Sequence, residues 1–143
     1  MTAKKKVLIL CTGNSCRSII AEALINHFKG DRWKAYSAGV SPSRVHPRSI
    51  KTLQELGIDC SDLRSKGVDE FLQRDDLDLV ITVCDHARES CPVFHHPVKQ
   101  VHIGIADPTA QIYLTENGGD EAFRTCRNSI QRKIVERLDS LIE

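Results

Sequence analysis

The chain has 143 residues, 41% of them hydrophobic, with 20 Lys and Arg set against 19 Asp and Glu. That size and apolar content suit one packed domain spanning 1–143, and the charge balance argues against a nucleic-acid or membrane surface as partner. No apolar stretch reaches the length of a membrane helix or export signal, so the 6 Cys point to thiol chemistry in a reducing, cytoplasmic setting rather than to structural disulfides.

Val7, Leu8, Ile9 and Leu10 form a continuous apolar run, the pattern of a strand covered on both faces. A helix is expected over 18–28, with Ile19, Ile20, Ala23, Leu24 and Phe28 on its buried face. Between them the chain must reverse within a few residues, and Gly13 and Asn14 tolerate the positive φ of such a turn. Trp33–Ser37 reads as a second strand, ended by Ala38 and Gly39. Pro47–Leu56 reads as a helix, with Pro near its start and Gly57 beyond its end. Asp69–Gln73 reads as a short helix, Leu79–Val83 as a third strand and Val98–Ile105 as a fourth. A last helix is expected from Asp120 to Leu141, burying Phe123, Cys126, Ile130, Ile134, Leu138 and Leu141. The alternation predicts a parallel sheet with helices on both faces, a three-layer α/β/α sandwich with four strands.

In such sheets ligands bind at the carboxyl ends of the strands. Cys11, Ser37, Cys84 and Asp107 each follow a predicted strand, so they share that edge. The segment Cys11-Thr12-Gly13-Asn14-Ser15-Cys16-Arg17 is a C-x5-R loop feeding a helix amino terminus. A loop of this kind turns unpaired N–H groups inward, and those groups bind anions. Arg17 adds a planar, always-charged fork that matches two oxygens of a tetrahedral oxyanion. The same field favours the thiolate of Cys11 at the floor, to which Ser18 can donate its hydroxyl. Cys16 lies inside the loop but is expected to point its side chain away. Asp107 precedes Pro108, which cannot continue a central strand, so it sits in a loop at the same edge, where a carboxylic acid can protonate a departing oxygen. An Asp-Pro pair also caps turns, which is the plainer role.

CTGNSCRS resembles the active-site loop of the low-molecular-weight protein tyrosine phosphatase family and of the arsenate reductases that share its fold. The resemblance extends through YSAG, RSKGVDEF, ITVCDHARESCP and ADP, and so covers nearly the whole chain. In the phosphatases the acid motif continues with tyrosine, whereas here Thr109 and Ala110 follow. Cys84 and Cys91 have the C-x6-C spacing of thioredoxin-linked arsenate reductases. The resemblance therefore implies arsenate as substrate and a three-cysteine relay. Cys11 attacks arsenic, Cys84 attacks Cys11, and Cys91 moves the disulfide to Cys84–Cys91, with local unwinding between them. Thioredoxin is the implied recycling partner, and glutaredoxin is left open as an alternative. A phosphatase and a non-catalytic oxyanion or redox sensor remain the alternative readings. Thr12, Gly13, Asn14, Ser15, Cys16 and Arg17 are the expected oxyanion binders.

No cofactor is implied as required. Some members hold a monovalent cation beside the loop through an Asn, a Glu and nearby hydroxyls, a pattern that Asn14, Glu22 and Ser37 match. Lys66 departs from it, standing where those members have an acidic side chain, and its ammonium could replace the cation. His95, His96 and His102 match no standard metal spacing, and no metal site is expected. Cys60 and Cys126 are expected in the core.

Overall fold

A computed structural model describes residues 3–110 and 119–143. Four strands, β1 (Lys5–Cys11), β2 (Trp33–Gly39), β3 (Leu79–Thr82) and β4 (Lys99–His102), form one sheet in the order β2-β1-β3-β4. All neighbours are parallel, with Cys11 opposite Gly39 and Leu10 opposite Thr82. The helices are α1 (Arg17–Phe28), α2 (Pro47–Gln54), α3 (Asp85–Ser90), α4 (Asp120–Ile130) and α5 (Leu138–Leu141), with a 3-10 turn at Val68–Phe71.

Side chains alternate across a strand, and β1 shows why both its faces must be covered. Val7, Ile9 and Cys11 pack with Ile20, Leu24, Phe123, Ile130 and Leu138 on one side. Leu8 and Leu10 pack with Val68, Phe71, Val80, Ala87 and Phe94 on the other. The strand is thus the centre of a three-layer sandwich, and its carboxyl end opens at the rim between the layers. Among the described residues, no helix is long and apolar enough to cross a membrane.

Several boundaries differ from the expectation. β2 runs two residues further, because Ala38 and Gly39 stay paired to Leu10 and Cys11. α2 stops at Gln54 and β3 at Thr82, while the short helix expected at Asp69–Gln73 is the 3-10 turn at Val68–Phe71. β4 is only Lys99–His102, since pairing to β3 ends opposite Thr82. Phe28 is 48% exposed rather than buried, lying in the last turn of α1, where its ring stacks edge-on with His27. The last helix is interrupted by a π turn at Gln131–Val135. All six residues expected on its buried face are nevertheless buried. Three successive spacings of four from Cys126 to Leu138 overshoot the α-helical period by about 120° at about 100° per residue. The wider π turn takes up that drift and keeps one face inward.

Candidate active site

The loop between β1 and α1 is held open from outside. The carbonyls of Cys11, Thr12, Gly13 and Ser15 accept backbone hydrogen bonds from Val40, Ser41, Ser43 and His46, at 2.9–3.1 Å. Ser65 Oγ donates to Gly13 O at 3.0 Å, and Ser49 Oγ donates to Ser15 O at 2.9 Å. With its carbonyls turned outward, the loop turns its N–H groups inward. None of the N–H groups of residues 12–16 donates to an acceptor among the described residues. Asn14 sits at φ 50°, the left-handed conformation the reversal needs. Gly39 is required beneath it, because a Cβ there would lie 2.6 Å from Thr12 O and 2.9 Å from Asn14 N.

This collar of Ser41, Ser43, His46, Ser49 and Ser65 was not read from the sequence. Its signal was the Ser- and Pro-rich segment following β2, at the edge where the ligand loop lies. His46 also caps α2, its Nδ1 accepting from Arg48 N at 3.0 Å. Burial, then the Arg48 and Arg44 charges, hold His46 below the ordinary histidine pKa.

The loop encloses a cavity of about 130 Å³ lined by Cys11, Thr12, Gly13, Ser15, Cys16, Arg17, Asp107 and Thr109. Arg17 Nη1 donates to Ile105 O at 3.1 Å, which fixes the guanidinium against the β4 side of the rim. Cys11 is 3% exposed, with Sγ 2.8 Å from Ser18 Oγ. Ser18 does not line the cavity; it supports Cys11 from behind. Asn14 likewise lies outside the lining. Its Nδ2 donates to Ser18 Oγ (2.8 Å) and Ser37 Oγ (2.9 Å), while its Oδ1 accepts from Lys66 N (2.9 Å). Because Ser18 Oγ already accepts from Asn14, its own hydrogen is free to point at Cys11.

Behind Asn14 the network continues inward. Ser37 Oγ donates to Glu22 Oε1 at 2.8 Å, and Lys66 Nζ lies 3.3 Å from the same oxygen. Lys66 and Glu22 side chains are only 9% and 13% exposed. Among the described residues, no group of three or more His, Cys, Asp or Glu is placed to hold a metal ion. His102 instead bonds Thr82 Oγ1 through Nδ1 at 2.8 Å and lies 3.4 Å from Asp85. A larger cleft of about 480 Å³ lies beyond β2, walled by Lys34, Tyr36, Asp59 and Arg64 among others, and holds no thiol.

Asp107 lines the cavity and also makes the turn that Asp-Pro favours. Its Oδ1 accepts from Thr109 N at 2.9 Å and Thr109 Oγ1 at 2.7 Å. Cys16 borders the cavity, while its side chain is buried in the core cluster that holds Ile20 and Phe123. Its thiol is buried beside Ser15, and burial pushes its pKa up. Cys126 is buried in the core, and the same cause takes it to about 12. Cys60 is half-buried at the core's margin.

Cys84 and Cys91 flank α3. Cys84 Sγ caps the helix by accepting from Ala87 N at 3.4 Å, and it lies 3.3 Å from Thr12 Oγ1. Cys91 terminates the helix, packed against the Leu8–Leu10 side of the core, and burial raises its pKa. All six cysteines are free thiols. The site thus joins an anion-binding loop, a supported thiol at its floor, a carboxyl in its wall and a second thiol touching the loop.

An arsenate reductase of Halalkalibacterium halodurans is 41% identical over 132 residues, 92% of this chain and 93% of the relative. A solved arsenate reductase in a phosphate-binding state superposes with a TM-score of 0.69 at 32% identity, over 96% of each chain. A thioredoxin-dependent arsenate reductase of Corynebacterium glutamicum superposes with a TM-score of 0.63 at 26% identity, over 98% of this chain and 63% of that one. Residues 6–143 match the model of the low molecular weight phosphotyrosine protein phosphatases. With that match spanning the anion loop, the sheet and the last helices, the chain belongs to the low molecular weight phosphotyrosine protein phosphatase family.

Proposed function

We propose that the chain reduces arsenate to arsenite through Cys11, Cys84 and Cys91, and that thioredoxin restores it. The observation that carries the reading is the Cys84 thiol 3.3 Å from the hydroxyl of Thr12, the residue next to Cys11. Hydrolysis of a phosphate ester has no use for a second thiol there, whereas a two-electron reduction requires one.

The loop N–H groups and Arg17 hold the oxyanion, and the Cys11 thiolate forms a bond to arsenic. Asp107 supplies a proton as one oxygen leaves as water. The Cys84 thiolate then attacks Cys11 Sγ. The S–S bond forms, the S–As bond breaks, and its electron pair stays on arsenic, which leaves as arsenite. Cys91 attacks Cys84 Sγ, expelling Cys11 as thiolate and leaving a Cys84–Cys91 disulfide for thioredoxin or glutaredoxin to reduce. Six free thiols suit a cytoplasmic, reducing compartment.

No monovalent cation is needed beside the loop in this reading. Asn14 Oδ1 already accepts from Lys66 N, and Glu22 Oε1 from Ser37 and Lys66 Nζ. The Lys66 ammonium supplies the positive charge itself.

The test is NADPH oxidation that depends on arsenate, with thioredoxin and thioredoxin reductase supplied. Turnover is expected in the wild type and abolished in Cys11→Ser, whose hydroxyl is a poor nucleophile at neutral pH. Hydrolysis of aryl phosphates without arsenate turnover would replace the reductase reading with the phosphatase one.

A further inference from the structure

Thr109 stands where the phosphatase motif has tyrosine, and its contacts give it a defined task. Both hydrogen bonds that Asp107 accepts from Thr109 fall on one oxygen, Oδ1. The N–H bond is a turn contact that any non-proline residue could make. The hydroxyl bond, 2.7 Å long, belongs to threonine or serine alone among small side chains. Thr109 itself lines the cavity beside Cys11, Arg17 and Asp107.

Two donors on Oδ1 leave little acceptor capacity there, and an acid proton placed on Oδ1 would compete with both. The proton of the neutral carboxyl therefore resides on Oδ2. We infer that Thr109 is a positioning residue: by holding Oδ1 through its hydroxyl, it fixes the carboxyl rotation so that Oδ2 carries the proton to the departing oxygen. Without the hydroxyl one hydrogen bond remains, about which the carboxyl can turn. The turn itself persists, so the fold and the oxyanion socket are unchanged.

This inference rests on the acid role of Asp107 in the proposed reaction, and its test is separable from the reductase reading. Thr109→Val is isosteric and removes only the hydroxyl, whereas Thr109→Ser retains it. For each, the chemical step is followed as single-turnover loss of Cys11 thiol at saturating arsenate, and oxyanion affinity as phosphate protection of Cys11 from alkylation. Thr109→Val should slow the step about tenfold, the upper range of one hydrogen bond between neutral groups, with phosphate protection unchanged. Thr109→Ser should recover to within about threefold by the same reasoning.

Hydrolysis of aryl phosphates provides the independent arm. The Thr109→Val deficit should be large with phenyl phosphate, whose leaving group needs a proton, and small with 2,4-dinitrophenyl phosphate, whose leaving group does not. A wild type active on aryl phosphates but inert with arsenate would sink the reductase reading and leave this comparison to judge Thr109. Equal deficits on both esters, a loss shared with phosphate affinity, failure of serine to recover the rate, or a wild type inert with both substrates would overturn the inference.

Discussion

The proposed relay requires α3 to come apart, and the cost of doing so can be changed by one methyl group. Seven residue steps separate Cys84 from Cys91. At about 1.5 Å per step a helix holds their α-carbons about 10 Å apart, beyond the 4.4–6.8 Å usual for a disulfide. The helix spans only Asp85–Ser90, and Ala87 is its fully buried residue. Ala87→Gly weakens the helix by about 1 kcal/mol in propensity and removes about 0.8 kcal/mol of methyl burial. Both losses fall on the reduced, helical state alone. The Cys84–Cys91 disulfide should therefore be favoured roughly twenty-fold, placing its reduction potential about 40 mV more negative. Equilibration of the Cys11→Ser background against glutathione buffers, read by mass after alkylation, measures that shift. A potential unchanged by Ala87→Gly would mean that the helix survives oxidation, and the distance argument would fail.

Cys91→Ser should complete a single reduction and then hold a Cys11–Cys84 disulfide, visible by peptide mapping; an undiminished steady-state rate with thioredoxin would make the third cysteine dispensable. Gly39→Ala should drive a Cβ into the anion loop at a cost of about 1–3 kcal/mol, lowering the melting temperature and abolishing stabilisation by phosphate; a normal phosphate response would show that the loop does not need that close approach. His46 is held below its ordinary pKa, so the unfolded chain takes up the proton first as pH falls. Its contribution is complete above about pH 6.5 and declines as pH falls through the lower folded value, and His46→Asn, which keeps a capping side chain, should flatten that part of the stability profile. Exchange of sodium for potassium should leave wild-type turnover unchanged, while Lys66→Ala should slow it by removing the charge beside Glu22; potassium activation of the wild type would contradict that role for Lys66.

The strand, loop and helix around Cys11 were legible because every local preference there points the same way: an apolar run, a glycine turn, then helical spacing. The burial of residues 123–141 was legible for the same reason, and the π turn was hidden in the run of spacings of four. Phe28 misled because hydrophobic spacing continues past the point where α1 leaves the core. The length of β4 could not be read, since backbone hydrogen bonds from Ile103 and Ile105 to the β3 side continue past the last paired residue, His102. The collar around the loop was invisible for another reason. Ser43, His46, Ser49 and Ser65 meet Gly13 and Ser15 across 30 residues or more, and no short-range pattern records such a meeting.

α3 also serves as cover. Ala87 closes the cluster of Leu8, Leu10, Phe71, Val80 and Phe94 on its side of the sheet. If the helix opens to join Cys84 to Cys91, as the proposed relay requires, that apolar surface loses its roof until a reductant arrives. On that reading the oxidised chain would be the form more open to proteases and to self-association. Under the proposed relay, a cell short of reducing equivalents would lose the protein itself as well as its turnover, and the lifetime of the chain would follow its redox supply.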